Sequence, residues 1–231
     1  MDERPATRAL EIAERLIGAN RAQEALSWIE KMPPHSEWFD DRPVWLEIKA
    51  LELLGQKEKA QKVRWQAFEK SMDERFYVEY ADNVHTDERD TIRKKASEAA
   101  FCQLNPYRAM KFLTWLRDAP ALKTLVLNHR NILDGNHYRE LTPAADFLSP
   151  EEPETAALLY RLMVQRVLDR GSSQHYVYAA RNLRKAESCS RNFREEQTTV
   201  PGHSDFLRDL KAKHGRKYRF WEQVEKIAIN A

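Results

Sequence analysis

The densest chemistry in the 231-residue chain lies near its end, in Lys211, Lys213, His214, Arg216, Lys217, Tyr218, Arg219, Phe220 and Trp221. Lysine and arginine neutralise phosphates and flat rings stack on exposed bases, so this mixture is a candidate nucleic-acid surface. An upstream stretch adds Arg181, Arg184 and Lys185, which share one face at ideal helical spacing, with Arg191 and Arg194 just beyond. Between Arg161 and Trp221 there are 14 Lys/Arg against 6 Asp/Glu, although the whole chain carries a net charge of only +2. The front is correspondingly acidic, which suggests that the two ends meet different partners, or each other. A competing reading is architectural. Phe206, Leu207, Phe220 and Trp221 pack into a last helix pair and the charges face water, as the outer face of a terminal repeat requires. That reading weighs more, because charge runs are usually solvated faces. An acidic protein partner is the third reading.

Other groups offer less. Asn128-His129, Asn136-His137 and His175 lack the close ligand spacing of HExxH, and Asp134-Gly135-Asn136 reads as turn formers at a helix end. Acid pairs occur at Asp40-Asp41, Asp87-Glu88, Glu151-Glu152 and Glu195-Glu196. The first three sit at or near expected helix starts, where negative charge complements the dipole, and none lies in an apolar stretch that would raise a pKa. GxSxG, GxGxxG and GxxxxGK[ST] are all missing. The expectation is therefore a non-enzyme with no metal and no cofactor. Cys102 and Cys189 lack CxxC spacing and read as idle thiols in a reducing compartment. The opening MDERPATRALEIAERL is amphipathic, unlike a signal peptide, and no apolar run approaches the roughly 20 residues of a span. A cytoplasmic protein without membrane contact is expected, and a start directly inside a helix suggests trimming of something longer.

The elements that must position these groups are helical. Charged residues make up 32% of the chain, it has only 6 glycines, and strand-like alternation is hard to find. Ala6 to Ile17 and Arg21 to Met32 form a pair closed by Pro33-Pro34, with Ala22, Ala25, Leu26 and Ile29 inward. Asp41 then caps VWLEIKALELLG, whose partner is KEKAQKVRWQAFEKSM. Setting Ala25 over Ala60 gives a spacing of 35, close to the 34-residue tetratricopeptide period. LIGANRAQEAL and LLGQKEKAQKV predict a shared glycine turn followed by a small residue at a helix crossing.

Further on, Thr86 is expected to cap a helix, Asn105-Pro106 the next, and Pro120 to start another. Phe112, Leu113 and Leu116 are expected inward, with Met110 and Trp115 as further candidates. Thr142-Pro143 opens a short helix, and Ser149-x-x-Glu152 is a capping box before an all-round apolar helix. Ser172 or Ser173 caps the following one, REEQTTVPG is a loop, and Ser204 caps DFLRDLKAKHG. The tryptophans are expected mostly in the core, with Trp38-Phe39 folding back over helix ends rather than anchoring a partner.

From NPYRAMKFLTWL through LDGNHYRELTPAADFL, TAALLYRLMVQRVLDRGSSQHYVYAARNLRKAE and HSDFLRDLKAKHGRKYRFW, the chain resembles an uncharacterised, mostly bacterial helical family. A related C-terminal region occurs in proteins with a SWIM-type zinc finger. The resemblance implies a tetratricopeptide-type stack and no known activity. The finger's CxC and CxH are not supplied by Cys102 and Cys189, so no zinc function carries over. The expectation is an all-α protein of ten to twelve helices in antiparallel pairs, stacked as a tetratricopeptide-like, right-handed superhelical array. Residues 1–82 form the repeats and residues 83–231 a family-specific bundle. Its expected role is a non-catalytic scaffold for a protein or peptide, with Arg8, Glu11, Arg15, Glu47 and Lys49 facing a groove by tetratricopeptide analogy. The rival is a nucleic-acid-associated protein using the basic tail.

Overall fold

The computed structural model describes residues 4–32, 41–191 and 202–229, and these are all-helical with connecting turns. Thirteen α-helices are present among the described residues, rather than ten to twelve. The chain divides into two units, residues 1–96 and 97–231, and the division falls inside one helix, Arg89–Phe101. Pro33-Pro34, Trp38-Phe39, Arg194, Glu195-Glu196 and most of REEQTTVPG lie outside the described residues.

The first unit holds α1 (Arg4–Gly18), α2 (Ala22–Glu30), α3 (Arg42–Leu53), α4 (Lys57–Ser71), α5 (Glu74–Asp82) and the start of α6 (Arg89–Phe101). Helix α1 packs on α2 and α3, α2 on α3, α3 on α4, and α4 on α5. Ala13, Ala22, Ala25 and Ala50 are buried where these helices cross, and Leu16, Leu26, Ile29, Leu46 and Leu54 fill around them. Small side chains at the crossings permit close approach, and the leucines supply the apolar area removed from water.

One turn recurs. Asn20 N donates to Ile17 O and Arg21 N to Leu16 O, at 3.0 and 2.8 Å. Gly55 N donates to Glu52 O and Gln56 N to Leu51 O, both at 2.9 Å. Arg117 N and Asp118 N repeat the pattern on Thr114 O and Leu113 O. At each turn one residue is left-handed, with φ of 58° at Asn20, 70° at Gly55 and 59° at Arg117, which folds the last carbonyls of the helix onto the next amides. The following residue then opens the next helix: Ala25 N reaches Arg21 O and Ala60 N reaches Gln56 O, both at 3.1 Å. The first two turns therefore superpose at the 35-residue register of Ala25 and Ala60. The shared glycine does not hold: Gly18 ends α1, and Asn20 occupies the place of Gly55.

Buried Arg64 ties the first unit together. Its guanidinium donates to Glu52 on α3, to Glu79 on α5 at 3.3 Å and to Gln61 at 3.1 Å. Trp65 lies 5.0 Å from the Tyr80 ring, with the Lys95 ammonium 3.8 Å from the Trp65 centroid.

The second unit holds the end of α6, then α7 (Pro106–Leu116), α8 (Ala119–His129), α9 (Tyr138–Leu148), α10 (Pro153–Arg170), α11 (Tyr176–Ser190), α12 (His203–His214) and α13 (Tyr218–Ile229). Helix α7 packs on α8 and α9, α9 on α10, α10 on α11, and α11 on α12 and α13. Asn105 caps α7 as expected, accepting from Tyr107 N at 3.0 Å. Phe112, Leu113, Leu116 and Met110 are buried, whereas Trp115 is 43% exposed.

Several helix starts differ from expectation. Thr86 lies inside a 3-10 turn, Thr86–Glu88, before α6. Helix α8 takes its cap from Asp118, which accepts from Ala121 N at 3.1 Å and so starts the helix one residue before Pro120. Helix α9 begins at Tyr138 and carries Pro143 inside it, forgoing one ladder bond. The capping box fails: Ser149 ends α9, and Glu152 precedes α10 without a side-chain cap bond. Pro153 in the first turn sets the register, which frees Glu152 to pair with Lys123 at 2.7 Å. Ser172 precedes a 3-10 turn, Ser173–His175, without capping it, and Ser204 lies within α12, which starts at His203 after Gly202.

Gly135 marks a close backbone approach in this unit. A Cβ there would lie 2.3 Å from Leu162 O on α10. The turn is fixed by Asp134, whose backbone N–H donates to the Tyr107 hydroxyl at 2.6 Å and whose carboxylate lies 3.1 Å from Arg166 Nε.

Candidate functional site

The basic tail is built on a buried apolar base. Phe206, Leu210 and Phe220 join Val164, Leu168, Tyr176, Ala179, Ala180 and Leu183 in one cluster, with Leu207, Trp221 and Val224 packed against it. The Tyr176 and Phe220 rings meet edge-on at 5.8 Å, and Trp221 Nε1 donates to His214 O at 3.1 Å. The expected packing of Phe206, Leu207, Phe220 and Trp221 is found. It orients α13 so that its charged residues leave the core.

The charges then separate into held and unheld sets. Arg184 donates to Glu187 at 2.6 Å and to Val224 O at 3.2 Å, tying α11 to α13. Lys185 turns the other way, to Asp146 on α9 at 2.6 Å and toward the Tyr160 ring at 5.3 Å. Arg191 lies 2.8 Å from Glu187, and Lys213 lies 2.7 Å from Asp169. Hydrogen bonds from Arg184 and Arg191 hold the Glu187 carboxyl below its usual range, and Lys213 does the same for Asp169. The expected common face of Arg181, Arg184 and Lys185 is thus split among different partners.

His214 is buried with Nε2 at 3.0 Å from Asp169 Oδ1, near enough for charge attraction but not aligned as a hydrogen bond. Burial pushes the imidazole pKa down, and Asp169 offsets part of that. Tyr160 donates to Asp146, and burial followed by that bond pushes the phenol up. These displaced groups serve contacts between helices.

Arg181, Arg216 and Arg219 remain exposed and Lys217 half-buried, and no carboxylate pairs with any of the four among the described residues. The Arg181 guanidinium lies 6.0 Å from the Tyr178 ring centroid. Lys211 lies 5.6 Å from Trp221, and Lys217 Nζ is 3.7 Å from where a Gly171 Cβ would stand. Tyr178 and Tyr218 are 61% and 72% exposed.

Between the start of α11 and α13 lies an open groove of about 350 Å³. Ser173, Gln174, Tyr176 and Val177 form one wall, and Arg219, Glu222 and Gln223 the other. Of the expected site residues only Arg219 lines it. Gln174, Val177, Glu222 and Gln223 carried no sequence signal, and Ser173 only that of a helix cap, since the two walls are distant in the chain and are brought together by the packing of α11 on α13, the Tyr176–Phe220 contact included. In the first unit Arg8, Glu11, Arg15 and Lys49 are exposed, while burial and then Glu30 raise the pKa of half-buried Glu47.

Among the described residues no three His, Cys, Asp or Glu side chains gather as a metal site requires, and no helix is long and apolar enough to cross a membrane. A family model matches residues 2–223. The chain belongs to the family of unknown function DUF6880. That match takes in all seven groove residues. It agrees with the uncharacterised family expected from the sequence, and it is silent on tetratricopeptide or SWIM kinship. No curated protein and no solved structure matches the chain.

Proposed function

We propose that this chain is a non-catalytic helical-repeat scaffold that holds a segment of a protein or peptide partner. The observation that supports this most is the recurring helix-turn-helix closure at Asn20 and Gly55, with α1 lying against α3 as well as α2. Pairs stacked in this way resemble tetratricopeptide units, in which each pair buries its apolar face on the next and leaves one helix layer facing a partner. The groove between α11 and α13 suits the same role. It is open and mixes amides, one apolar residue and opposite charges, as a peptide seat does. Pairing of Arg184, Lys185, Arg191 and Lys213 with carboxylates weakens the nucleic-acid rival, because a phosphate-binding stripe needs many uncommitted cations.

The test is affinity capture by the full chain at low and high salt, with and without nuclease, followed by reconstitution from purified components. A stoichiometric protein complex that survives nuclease supports the scaffold. Recovery of nucleic acid alone, lost on nuclease treatment, overturns it.

A further inference from the structure

We infer that the groove between α11 and α13 takes an acidic segment of the partner; this rests on the scaffold reading and names what the scaffold holds. Charge is the first ground. Asp169, at the end of α10, is engaged by Lys213, and Glu187, further along α11, by Arg184 and Arg191, so these two acids are already paired. Arg219 lines the groove, Lys217 stands beside Gly171 just before the Ser173 wall, and Arg181 lies one turn beyond Val177 on α11. Arg216 precedes Lys217. Arg219 thus lines the groove beside one acid, Glu222, and among the described residues no carboxylate pairs with Arg219, Lys217, Arg216 or Arg181.

Shape and bonding capacity are the second ground. Gln174 and Gln223 stand on opposite walls, and each amide both donates and accepts, the combination that meets an extended main chain. Val177 is 38% exposed and offers an apolar floor for one aliphatic side chain. Glu222 selects against a continuous polyanion, so a phosphate backbone meets repulsion where a peptide places a neutral or basic residue. An acidic side chain beside that position reaches Arg219, one turn before Glu222 on α13. Exposed pairs of this kind act mostly on association and specificity, and they weaken as salt rises.

The experiment uses the full chain, the double variant Lys217→Glu/Arg219→Glu and the variant Glu222→Gln. Each is panned against a random-peptide display library, and recovered peptides are measured by fluorescence anisotropy at two salt concentrations. Circular dichroism verifies that the variants keep their helices. The expected result is enrichment of Asp and Glu over the input library, with affinity falling about tenfold or more in the double variant. Glu222→Gln is expected to tighten binding of the same peptides. Enrichment of neutral or basic peptides, or equal binding of acidic peptides by the double variant, overturns the acidic assignment and leaves the scaffold standing. Failure to enrich any peptide over an unrelated control protein overturns both. A single-stranded oligouridine that binds more tightly than the acidic peptides, and weakens with the same double variant, overturns the inference in favour of nucleic acid.

Discussion

Replacing Gly135 by alanine tests the packing account of the second unit most directly. The added Cβ would lie 2.3 Å from Leu162 O and 2.8 Å from both Leu162 C and Arg166 Cβ, where ordinary contact begins near 3.4 Å. The nearest atoms are backbone of α10, a helix held by Ala156, Ala157, Leu159, Met163 and Val164, all buried, so no flexible side-chain end can swing aside. The turn and α10 must separate by about 1 Å, which strains the Asp134–Arg166 pair and the Tyr107 hydrogen bond. Overpacking of this kind costs about 1–3 kcal/mol, and the backbone contact places Gly135→Ala at the upper end. At roughly 2–4 °C per kcal/mol for a chain of this length, Tm falls by about 6–12 °C. Gly18→Ala is the control, since nothing lies within 4 Å of its Cβ position at the end of α1. It is expected to be neutral or to stabilise by up to about 1 kcal/mol. Urea titration followed by circular dichroism, with calorimetry for Tm, measures both. A Gly135→Ala stability within about 0.5 kcal/mol of wild type refutes the close-packing argument.

Arg64→Ala removes the tie between α3, α4 and α5. Its partners Glu52 and Glu79 keep 44% and 47% side-chain exposure and can rehydrate, so the expected loss is about 2–3 kcal/mol, with Arg64→Met losing less by filling the space. Equal losses in urea titrations of the two variants contradict this. Burial lowers the folded pKa of His214, so the unfolded chain binds that proton more readily. Its contribution to stability is complete above about pH 6.5 and is lost as pH falls through the depressed folded value. His214→Gln should flatten that window relative to wild type in urea titrations across pH. Asp169, lowered chiefly by its hydrogen bond from Lys213, adds its own loss only at and below the ordinary carboxylate range. An unchanged pH profile in His214→Gln refutes the assignment. Gly55→Ala places a side chain at φ 70° and should cost about 1 kcal/mol, whereas Asn20→Gly at the equivalent position should gain a few tenths. The same sign for both in urea titrations contradicts the turn equivalence.

Helices were legible in the sequence because apolar spacing and chain breakers act locally. Asn105-Pro106 sets its cap within two residues, and the Leu16–Ala25 and Leu51–Ala60 segments repeat the same small residue after the same turn. Local rules failed where two of them competed. Ser149 and Glu152 fit a capping box by spacing, yet Pro153 fixes the first turn three residues later than the box requires. Asn20 adopts the left-handed turn expected at Gly18, and Arg117 adopts the same turn after α7 with no glycine beside it, because the turn is imposed by packing of the helix pair and Asn and Arg bear its cost.

The basic tail shows the same division. Its composition, and the apolar role of Phe206, Leu207, Phe220 and Trp221, follow from residue type and helical period alone. Which cations stay uncommitted does not. Lys185 and Lys213 look like Arg181, Arg216 and Arg219 in sequence, but their carboxylates, Asp146 and Asp169, sit on other helices, and an ion pair forms only where folding brings the two within a few ångströms. The groove likewise depends on the Tyr176–Phe220 contact, which joins segments separated by α12. Periodicity determined that this chain is helical. Tertiary contact decided which charges are paired and which are not.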